Sequence, residues 1–416
     1  MRILICGASG FLGQALEKHL RSTGHHVVRG MRRPQHPGDL RFDFATTDID
    51  AWVEQLADID AVINCVGIFT ESDGKRFIDL HQRGPCALFS ACVTAGVRRV
   101  VQISAFGAAD GKAPYFSSKQ AADEFLMQMP IAWQIIRPSL IYGANGYSAG
   151  FFRQLASLPV LPLPVGGGQV LQTIHIDDLC AAVARLIDPA TPAGQCVDLL
   201  GPAPTTLKQM LLELRRAMGF APAFCLSIPA WLMFLAAHLL GRLPGSLLTP
   251  DSWQMLQAGS PAATPPSALL GRPPRALADF IPPCEARSAR LSALAAWRNP
   301  LLRASLALVW LITGLLSLGI YPVDASLALL APTGLSGTPA LLALYGAACL
   351  DLAFGWATLF RPGHRLWLAQ MALITGYSIV IAFCLPEYLI HPFGPLSKNL
   401  PILALLFVLL SEENAA

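Results

Sequence analysis

The fold is decided by a stretch near the start of the chain, Ile3-Leu4-Ile5-Cys6-Gly7-Ala8-Ser9-Gly10-Phe11-Leu12-Gly13. Its first four residues form an apolar run typical of a buried strand, and Leu12, Leu16 and Leu20 then follow with helical spacing. Glycines at 7, 10 and 13 let the backbone turn tightly and approach a pyrophosphate at the positive end of that helix. Between a first strand and a first helix, this spacing predicts a dinucleotide-binding loop.

Strand and helix signals alternate downstream of this loop. We predict strands over residues 26–29, 40–44, 61–65 and 99–104, and helices over 49–56 and 77–95. This spacing suits βαβ units joined in a parallel sheet. The first half of the chain therefore reads as an α/β doubly wound Rossmann domain, and residues 1–225 are assigned to it together with a substrate-binding part.

The end of the second strand indicates which nicotinamide cofactor is bound. A carboxylate there would hold the ribose 2′-hydroxyl, whereas a basic residue suits a 2′-phosphate. The segment Val28-Arg29-Gly30-Met31-Arg32-Arg33 has three arginines and no acidic residue. Because a guanidinium binds phosphate in a bidentate way, NADP(H) is preferred to NAD(H). The alternative is a basic loop that faces solvent.

An acid/base pair is predicted at Tyr115 and Lys119. Their spacing of four places both side chains on one helix face. A lysine ammonium beside a phenol favours the phenolate and is expected to lower the phenol's pKa. The tyrosine then exchanges a proton with a carbonyl or alcohol while a nicotinamide exchanges hydride. The pair follows Ser104, at the end of the predicted fifth strand.

At this point the sequence resembles the short-chain dehydrogenase/reductase superfamily, in its extended and atypical branches. The resemblance covers roughly residues 1–285 and is closest to the branch of the 39-kDa accessory subunit of respiratory complex I. Beside the segments already quoted, it rests on Val62–Gly67, Ala95-Gly96-Val97, Arg137–Gly143 and Ile174–Leu179.

The resemblance implies a role for each matching residue. Tyr115 would be the acid/base, Lys119 would bind the ribose and tune Tyr115, and Ser104 would polarise the substrate. In typical extended members the catalytic hydroxyl lies slightly later, where this chain has Ala105 and Phe106; turnover is the property that this departure puts in question. The cofactor-binding residues are expected to be Gly7, Ser9, Gly10, Phe11, Leu12, Gly13, Arg29, Arg32, Arg33, Asp43, Phe44, Cys65, Val66, Gly67, Lys119 and Pro138.

Composition limits the other classes of function. The net charge of +3 is too small to indicate a nucleic-acid partner. Ten cysteines lack zinc-type spacing and are expected to be buried thiols in a reducing compartment. His175 with Asp177 and Asp178 invites a metal site, but an acidic N-cap before an apolar helix is preferred, so no metal is predicted. The chain opens directly on its first strand, so we expect no signal peptide and a cytoplasmic N-terminal domain.

Residues 226–300 are set apart as a middle region. An apolar stretch over 226–242 is too short to span a bilayer. A helix of the substrate domain is the preferred reading, and an interfacial helix lying on the membrane is the alternative. Residues 259–300 are rich in Pro, Ala and Ser and are expected to connect to the membrane.

The last part, 301–416, is predicted to be an all-α membrane domain. It has only nine charged residues and four apolar stretches, over 302–320, 340–360, 366–383 and 400–410. The first three reach spanning length, and the fourth does so only if it begins near Lys398. The arginines at 298, 303, 361 and 365 favour an N-in, C-in arrangement in the inner (cytoplasmic) membrane. Asp351 is expected to face the bundle interior. It would either form structural hydrogen bonds between helices or belong to a quinone-like or proton-linked site.

A second resemblance concerns this membrane part. Trp310, Gly314, Gln370 and the segment His391–Asn399 are similar to the DoxX-like family of four-helix membrane proteins. That resemblance implies topology more than chemistry.

Two functions follow from the sequence. The first is a membrane-anchored NADP(H)-dependent oxidoreductase acting on a hydrophobic or membrane-associated carbonyl, alcohol or quinone-like substrate. The second is a non-catalytic NADP(H)-binding accessory or sensor protein with membrane-complex partners, which the missing hydroxyl at 105 and 106 favours. A purely structural membrane protein without a nucleotide is a distant third.

Overall fold

The computed structural model describes residues 1–71, 74–110, 113–242, 246–259, 266–392 and 394–413. The chain divides into two compact units, Met1–Ala293 and Leu294–Ala416. Most of the middle region, 226–300, therefore belongs to the first unit.

The strands of the described residues all lie in the first unit. They are, in chain order, β1 (Arg2–Cys6), β2 (His26–Met31), β3 (Leu40–Arg41), β4 (Ala61–Asn64), β5 (Arg99–Ile103), β6 (Ala132–Pro138), β7 (Ile141–Tyr142), β8 (Val160–Pro164), β9 (Val170–Leu171), β10 (Ile174–His175), β11 (Gln195–Leu199), β12 (Thr205–Thr206) and β13 (Phe224–Ile228).

The helices are also numbered in chain order, and they occur in both units. They are α1 (Phe11–Ser22), α2 (Ile49–Gln55), α3 (Gly84–Thr94), α4 (Pro114–Met127), α5 (Tyr147–Ser157), α6 (Ile176–Ile187), α7 (Leu207–Ala217), α8 (Ala230–Leu240), α9 (Pro250–Ala258), α10 (Ser267–Leu270), α11 (Pro283–Leu315), α12 (Val323–Leu330), α13 (Gly337–Phe360), α14 (His364–Cys384) and α15 (Asn399–Glu413). A π-helical turn, Ile78–Arg83, leads into α3.

Seven parallel strands form the main sheet, in the order β11-β6-β5-β4-β1-β2-β3. The chain leaves β1 toward β2 and β3 and then returns to build β4, β5 and β6 on the other side. This reversal puts a switch point between β1 and β4, where doubly wound sheets bind ligands beyond the carboxyl ends of the strands. The predicted Rossmann fold is confirmed.

Both faces of the main sheet are covered. Successive residues of β1 enter different cores, because side chains of a strand alternate between its two faces. Ile3 and Ile5 join a cluster with α1 and α6, whereas Leu4 and Cys6 join one with α2, α3 and α4. Burial on both faces explains why β1 is a continuous apolar run rather than an alternating one.

The middle region differs from the prediction at its start. A single helix is predicted over 226–242, but the chain first forms β13, which pairs in parallel with β8. The helix α8 begins only at Ala230, directly after Pro229. Because proline disfavours helical geometry in the residue before it, Ile228 remains extended. Residues 243–245 and 260–265 of this region lie outside the described residues.

The second unit is helical, as predicted, but only three helices among its described residues are long and apolar enough to cross a membrane. The three are Pro283–Ile320, Gly337–Phe360 and His364–Cys384. The predicted fourth span is the 15-residue α15, which at 1.5 Å per residue reaches about 22 Å of the roughly 30 Å hydrocarbon core. The first three predicted spans are confirmed as helices of spanning length and composition, whereas the fourth span and the C-in arrangement that depends on it stay predictions.

Close packing and a short polar chain join the helices of the second unit. A Cβ on Gly314 would lie 2.8 Å from Leu352, and one on Gly355 would lie 2.7 Å from Leu311, so α11 and α13 approach at small residues. The indole of Trp310 donates to Gln370 at 2.9 Å, and the Gln370 amide donates to Thr358 at 2.9 Å. The predicted bundle-facing position of Asp351 agrees with its burial. Phe393, part of the segment His391–Asn399, lies outside the described residues.

Candidate active site

The glycine loop lies at the switch point and has room only for glycine. Gly7 has a φ of 82°, in the left-handed region. A Cβ on Gly7 would lie 3.2 Å from the backbone of Cys65, and one on Gly13 would lie 2.3 Å from the Gly7 carbonyl oxygen. Gly10 is the N-cap of α1 and offers no capping side chain. The first N–H groups of α1 therefore point, with the positive helix end, toward an exposed edge that fits a pyrophosphate.

The end of β4 forms the second wall of the same cleft. Asn64 donates to Gln102 at 2.8 Å and accepts from the Val66 amide at 3.1 Å, which fixes the turn after the strand. A Cβ on Gly67 would lie 3.3 Å from the Lys119 ammonium. The predicted segment Cys65-Val66-Gly67 therefore does meet Lys119, and a side chain at position 67 would crowd the ammonium.

Tyr115 and Lys119 lie on one face of α4, and both are buried. The Lys119 ammonium donates to the Ile103 carbonyl oxygen at 3.1 Å. Burial lowers the pKa of Lys119 to about 8, while the carboxylate of Asp123 acts in the opposite direction. The proposed pair is thus held at the carboxyl end of β5, next to the cleft.

The expected lowering of the tyrosine pKa is not observed. Burial instead raises the pKa of Tyr115 to about 12, because the phenolate loses its hydration among apolar neighbours. At neutral pH, Tyr115 is therefore a protonated phenol, able to donate a proton.

The ring of Tyr115 sits among aromatic side chains. Phe69 stacks on it at 5.9 Å between ring centroids, and Phe77 and Phe116 meet its edge at 5.9 and 5.2 Å. Ala105, Ile68 and Met255 complete this apolar cluster. The surroundings of the predicted acid/base are consequently hydrophobic.

His81 belongs to the site but was missed by the sequence analysis. Its Nε2 accepts from the Ile68 amide at 3.0 Å, and its Nδ1 lies 3.1 Å from the Ser118 hydroxyl. Burial, followed by the charge of Lys119, lowers the pKa of His81 to about 2. The ring is therefore neutral, with Nδ1 protonated to donate to Ser118, and Ser118 donates to the Tyr115 carbonyl oxygen at 2.9 Å. A lone histidine in an amphipathic helix gives no sequence signal for this role.

Ser104 has a different partner from the one expected. Its hydroxyl is buried and donates to Asp123 at 2.7 Å, and the same carboxylate oxygen pairs with Arg137 at 3.3 Å. Ser104 thus helps to hold a charged pair beneath the site. The sequence analysis missed Asp123 and quoted Arg137 only as part of a motif; the i,i+4 spacing of Lys119 and Asp123 was the available signal.

The arginines after β2 separate into two groups. Arg29 turns toward Glu17 and Asp39, at 3.6 and 3.8 Å, rather than toward a ligand. Arg32 and Arg33 line an open cavity of about 540 Å³ together with Arg41. Asp43 and Ala45 also line it. The cavity therefore contains three cations and one acidic residue, Asp43, which was predicted to bind the cofactor. Arg41 is a further residue that the sequence analysis did not single out.

The other predicted residues have structural roles. Ser9 is exposed on the glycine loop and its carbonyl oxygen accepts from Gln14 at 2.9 Å. Leu12 packs against the α1/α6 core, whereas Phe44 is buried against Trp52 in the other core. A Cβ on Gly143 would lie 2.7 Å from the ring of Phe11, so that ring packs on the segment after β6. Pro138 ends β6, and its carbonyl oxygen accepts from Phe106 at 2.9 Å.

The acidic residues at the start of α6 are not its N-cap. His175 is the N-cap, and its Nδ1 accepts from the Asp177 amide at 3.2 Å. Asp178 is fully buried and accepts from the side chain of Arg272 and the amide of Arg275. The capping prediction thus assigned the role to the wrong residue, because an imidazole nitrogen took the place of a carboxylate. The carboxylate of Asp178 instead ties α6 to the segment after α10.

Two family matches agree with this architecture. Residues 3–196 match the NAD dependent epimerase/dehydratase family, and residues 307–407 match the DoxX-like family. The chain thus joins an epimerase-like, short-chain dehydrogenase/reductase type of NAD-dependent Rossmann domain to a C-terminal DoxX-like domain.

The curated relatives are moderately similar. An uncharacterized protein of Mycobacterium tuberculosis is 29% identical over 222 residues, which are 52% of this chain and 24% of that protein. The chain thus spans about a quarter of that relative's length. The UDP-glucose 4-epimerase of Vibrio cholerae is 25% identical over 58% of this chain and 82% of its own length. The 3-diazoavenalumate denitrifying reductase of a Streptomyces species is 27% identical over 58% and 88%.

Solved structures share the fold. An NADPH-dependent quinone oxidoreductase from Escherichia coli, complexed with NADPH, has a TM-score of 0.54 and 21% identity, covering 67% of this chain and 98% of that one. A short-chain dehydrogenase/reductase superfamily protein from Agrobacterium tumefaciens with bound NAD has a TM-score of 0.54 and 18% identity, covering 72% and 99%.

Proposed function

We propose that this protein is a membrane-anchored, NADP(H)-dependent oxidoreductase that reduces a hydrophobic carbonyl or quinone-like substrate. The observation that carries the proposal is that Lys119 contacts Gly67, in the segment that meets the glycine loop, while Tyr115 on the same face of α4 lies inside an aromatic cluster. The family match supports an NAD(P)-dependent oxidoreductase, and relatives are named as epimerase and reductase.

The preference for NADP(H) is supported by the basic cavity. Arg32, Arg33 and Arg41 line one open space after β2 and β3. A ribose 2′-phosphate carries negative charge at neutral pH, and guanidinium groups match phosphate in geometry as well as charge. Asp43 in the same cavity would disfavour the phosphate, but three cations outweigh one carboxylate.

The residues present fit a nicotinamide nucleotide. The glycine loop leaves a cradle that a Cβ would fill. At Gly67, too, an added Cβ would crowd its neighbour, the Lys119 ammonium. A bound NADPH would supply hydride to the substrate carbonyl. Tyr115 would donate the proton to the developing alkoxide, which agrees with its protonated state at neutral pH. Lys119, as an ammonium, would hold the ribose and stabilise the phenolate left after proton transfer.

An apolar substrate is supported by the surroundings of Tyr115. Phe69, Phe77 and Phe116 contact its ring, and aromatic walls favour burial of apolar surface over the many hydrogen bonds that a nucleotide sugar requires. A lipid-derived or quinone-like substrate is also consistent with the membrane helices of the same chain. We therefore propose this class rather than the UDP-sugar of the epimerase relative.

Turnover with a short-chain quinone and an aryl ketone tests the mechanism. Tyr115→Phe removes only the hydroxyl and is expected to lower kcat by about 10²–10⁴, since general acid catalysis supplies that range. NADPH affinity, measured by fluorescence titration, should stay within a factor of about two because the ring is kept. Unchanged turnover in Tyr115→Phe would exclude the assigned chemistry.

A non-catalytic NADP(H)-binding accessory or sensor role is the second candidate. It is favoured by Ser104, whose hydroxyl donates to Asp123 and is thereby engaged beneath the site. This role predicts tight NADPH binding, oxidation of NADPH that is equally slow in the wild type and in Tyr115→Phe, and co-purification with other membrane proteins.

For localisation, we propose a multi-pass inner-membrane protein whose N-terminal unit faces the cytoplasm. Arg361 directly follows α13 and Arg365 lies in the first turn of α14, and cationic residues at the ends of spans stay on the cytoplasmic side. The connection between α13 and α14 and the N-terminal unit are then on the same side. Reporter fusions after residues 300, 362 and 395 should report inside, inside and outside. An outside signal at 362 would reverse the topology.

A further inference from the structure

The helix α8 exposes an apolar surface that the Rossmann domain does not use. Six of its eleven residues are large hydrophobic side chains with high exposure. They are Trp231 (68%), Leu232 (37%), Phe234 (58%), Leu235 (46%), Leu239 (56%) and Leu240 (46%). We call these six residues the α8 patch. Apart from β8, β13 and the residue after β8, exposed hydrophobic residues among the other described residues of the first unit are scattered, which is normal for a soluble surface.

The helix contacts the rest of the first unit at its C-terminal end. Within this fully described helix only Ala237 is buried. A Cβ on Gly241, directly after the helix, would lie 2.4 Å from the Ala237 carbonyl oxygen and 3.2 Å from that of Leu248. The C-terminal end of α8 is thus packed tightly against the turn that leads into α9. The six side chains of the α8 patch remain exposed in this packing.

Exposed apolar side chains are also found on the strand that precedes the helix and on its partner strand. Phe224 and Val160 are register partners of β13 and β8, and both are exposed, at 71% and 43%. Val165, which follows β8, is 53% exposed and has a φ of 47°. A β-branched residue in the left-handed region costs energy and persists where the structure requires it. The two strands thus also expose apolar side chains, and β13 leads directly into α8.

We propose that the α8 patch inserts into the headgroup and upper acyl region of the lipid bilayer. An 11-residue helix is about 16 Å long and cannot span the roughly 30 Å core, so it would lie in the plane of the interface. Trp231 carries an indole N–H, which suits the boundary between acyl chains and headgroups. Exposed Arg242, just after the helix, suits anionic headgroups.

The bilayer is the favoured occupant because this chain brings it close. Three candidate membrane spans follow in the same polypeptide, and the apolar stretch of the first, which begins at residue 302, starts 60 residues after Arg242. A tether turns the contact into an intramolecular event, so even weak interfacial affinity is enough. The exposure of Phe234 is comparable with that of Phe360 on a candidate span, at 67%. A hydrophobic substrate partitioned in the membrane would then lie near the domain that we propose reduces it.

Photo-crosslinking in the full chain tests this proposal. A benzophenone amino acid replaces Phe234, and the protein is reconstituted in vesicles of phosphatidylcholine and phosphatidylglycerol. Ile49 on α2, which is 42% exposed, is the matched control position. We expect roughly tenfold more lipid adduct, by mass spectrometry, at 234 than at 49, since only an interfacial helix meets acyl chains. Equal yields at both positions would overturn the proposal, as would adducts from 234 to a second copy of this chain.

A second variant separates membrane contact from folding. Phe234→Ser, Leu235→Ser and Leu239→Ser together change exposed side chains only, so NADPH affinity should be unchanged. With the probe now at Trp231, the lipid adduct should fall to the yield at Ile49. A lipid adduct that persists at full yield in this triple variant would show that the apolar side chains do not carry the contact.

Discussion

Each unit of this protein buries a small polar network, and the two networks differ in what they leave available. In the first unit, His81 lies against the Ser118 hydroxyl, Ser118 donates to the Tyr115 carbonyl oxygen, and Lys119 of the same helix lies beside Gly67 at the carboxyl edge of the sheet. In the second unit, Trp310, Gln370 and Thr358 bond to one another between α11, α13 and α14. The first network lies beside the proposed cofactor site, whereas the hydrogen bonds of the second join helices to one another.

The energetic consequences of the two networks are opposite. Burying the Lys119 ammonium disfavours its charged form, which is why its pKa falls to about 8. A buried ammonium lowers the stability of the fold, and such groups are found mainly where they bind a ligand or take part in catalysis. The network of the second unit satisfies polar groups that would otherwise meet lipid and so stabilises helix packing. Changes in the first network should alter cofactor binding, and changes in the second should alter stability.

The largest effect is expected from Gly13→Ala in the cleft. The added Cβ would lie 2.3 Å from the Gly7 carbonyl oxygen, so the loop must shift and lose its fit to the pyrophosphate. We expect NADPH affinity to fall by about a hundredfold, the upper range for overpacking a tight contact. Fluorescence titration with NADPH measures this change.

Gly168→Ala is the matched control for that experiment. Gly168 has a φ of −79° and open space around an added Cβ, so its affinity and melting temperature should match the wild type. Near-normal NADPH binding in Gly13→Ala would show that the loop does not cradle the cofactor.

The choice between the two nicotinamides depends on the basic cavity. Replacing Arg32 and Arg33 by Ser removes two of its cations and is expected to weaken NADPH binding roughly ten- to thirtyfold, since each charged hydrogen bond contributes about 1.5–3 kcal/mol before screening. NADH affinity should change by less than about twofold, because NADH has no 2′-phosphate. Arg29→Ser is the control, because Arg29 pairs with Glu17 and Asp39. Equal losses for both nucleotides would remove the case for NADP(H).

A smaller effect is expected from pH. Below about 8 Lys119 is an ammonium, and above that value it becomes neutral. NADPH affinity should therefore fall by about fivefold between pH 7 and pH 9, as one charge-assisted hydrogen bond weakens. Folding stability should change with the opposite sign: the unfolded lysine, with its pKa near 10.4, binds more protons than the folded one between about pH 8 and pH 10.4, so this group makes stability rise with pH there. Lys119→Met should bind NADPH weakly and show neither trend.

The sequence predicted those parts of the site that depend on backbone pattern. The glycine loop follows from spacing alone, because only glycine allows the φ of Gly7 and the contact at Gly13. The Tyr115–Lys119 pair follows from helical geometry. The parallel sheet follows from alternating apolar runs, whose burial on both faces needs no distant information.

The parts that failed depend on which segments meet in space. His81 and Ser118 are far apart in sequence, and nothing local shows that an imidazole would accept from the Ile68 amide. The pKa of Tyr115 rises because Phe69, Phe77 and Phe116 surround it, and they come from three separate segments.

The smallest effect is expected in the second unit, and it completes the comparison. Gln370→Leu leaves the Trp310 indole and the Thr358 hydroxyl without this partner. We expect a loss of about 0.6–1.7 kcal/mol in the free energy of unfolding, the range measured for hydrogen bonds between membrane helices. Thermal unfolding in detergent, combined with Trp310→Phe in a double-mutant cycle, measures the coupling. NADPH affinity should remain that of the wild type, because this network belongs to the second unit and the proposed cofactor site to the first. A Gln370→Leu variant that is fully stable but binds NADPH poorly would invert the comparison and make the membrane network part of the functional machinery.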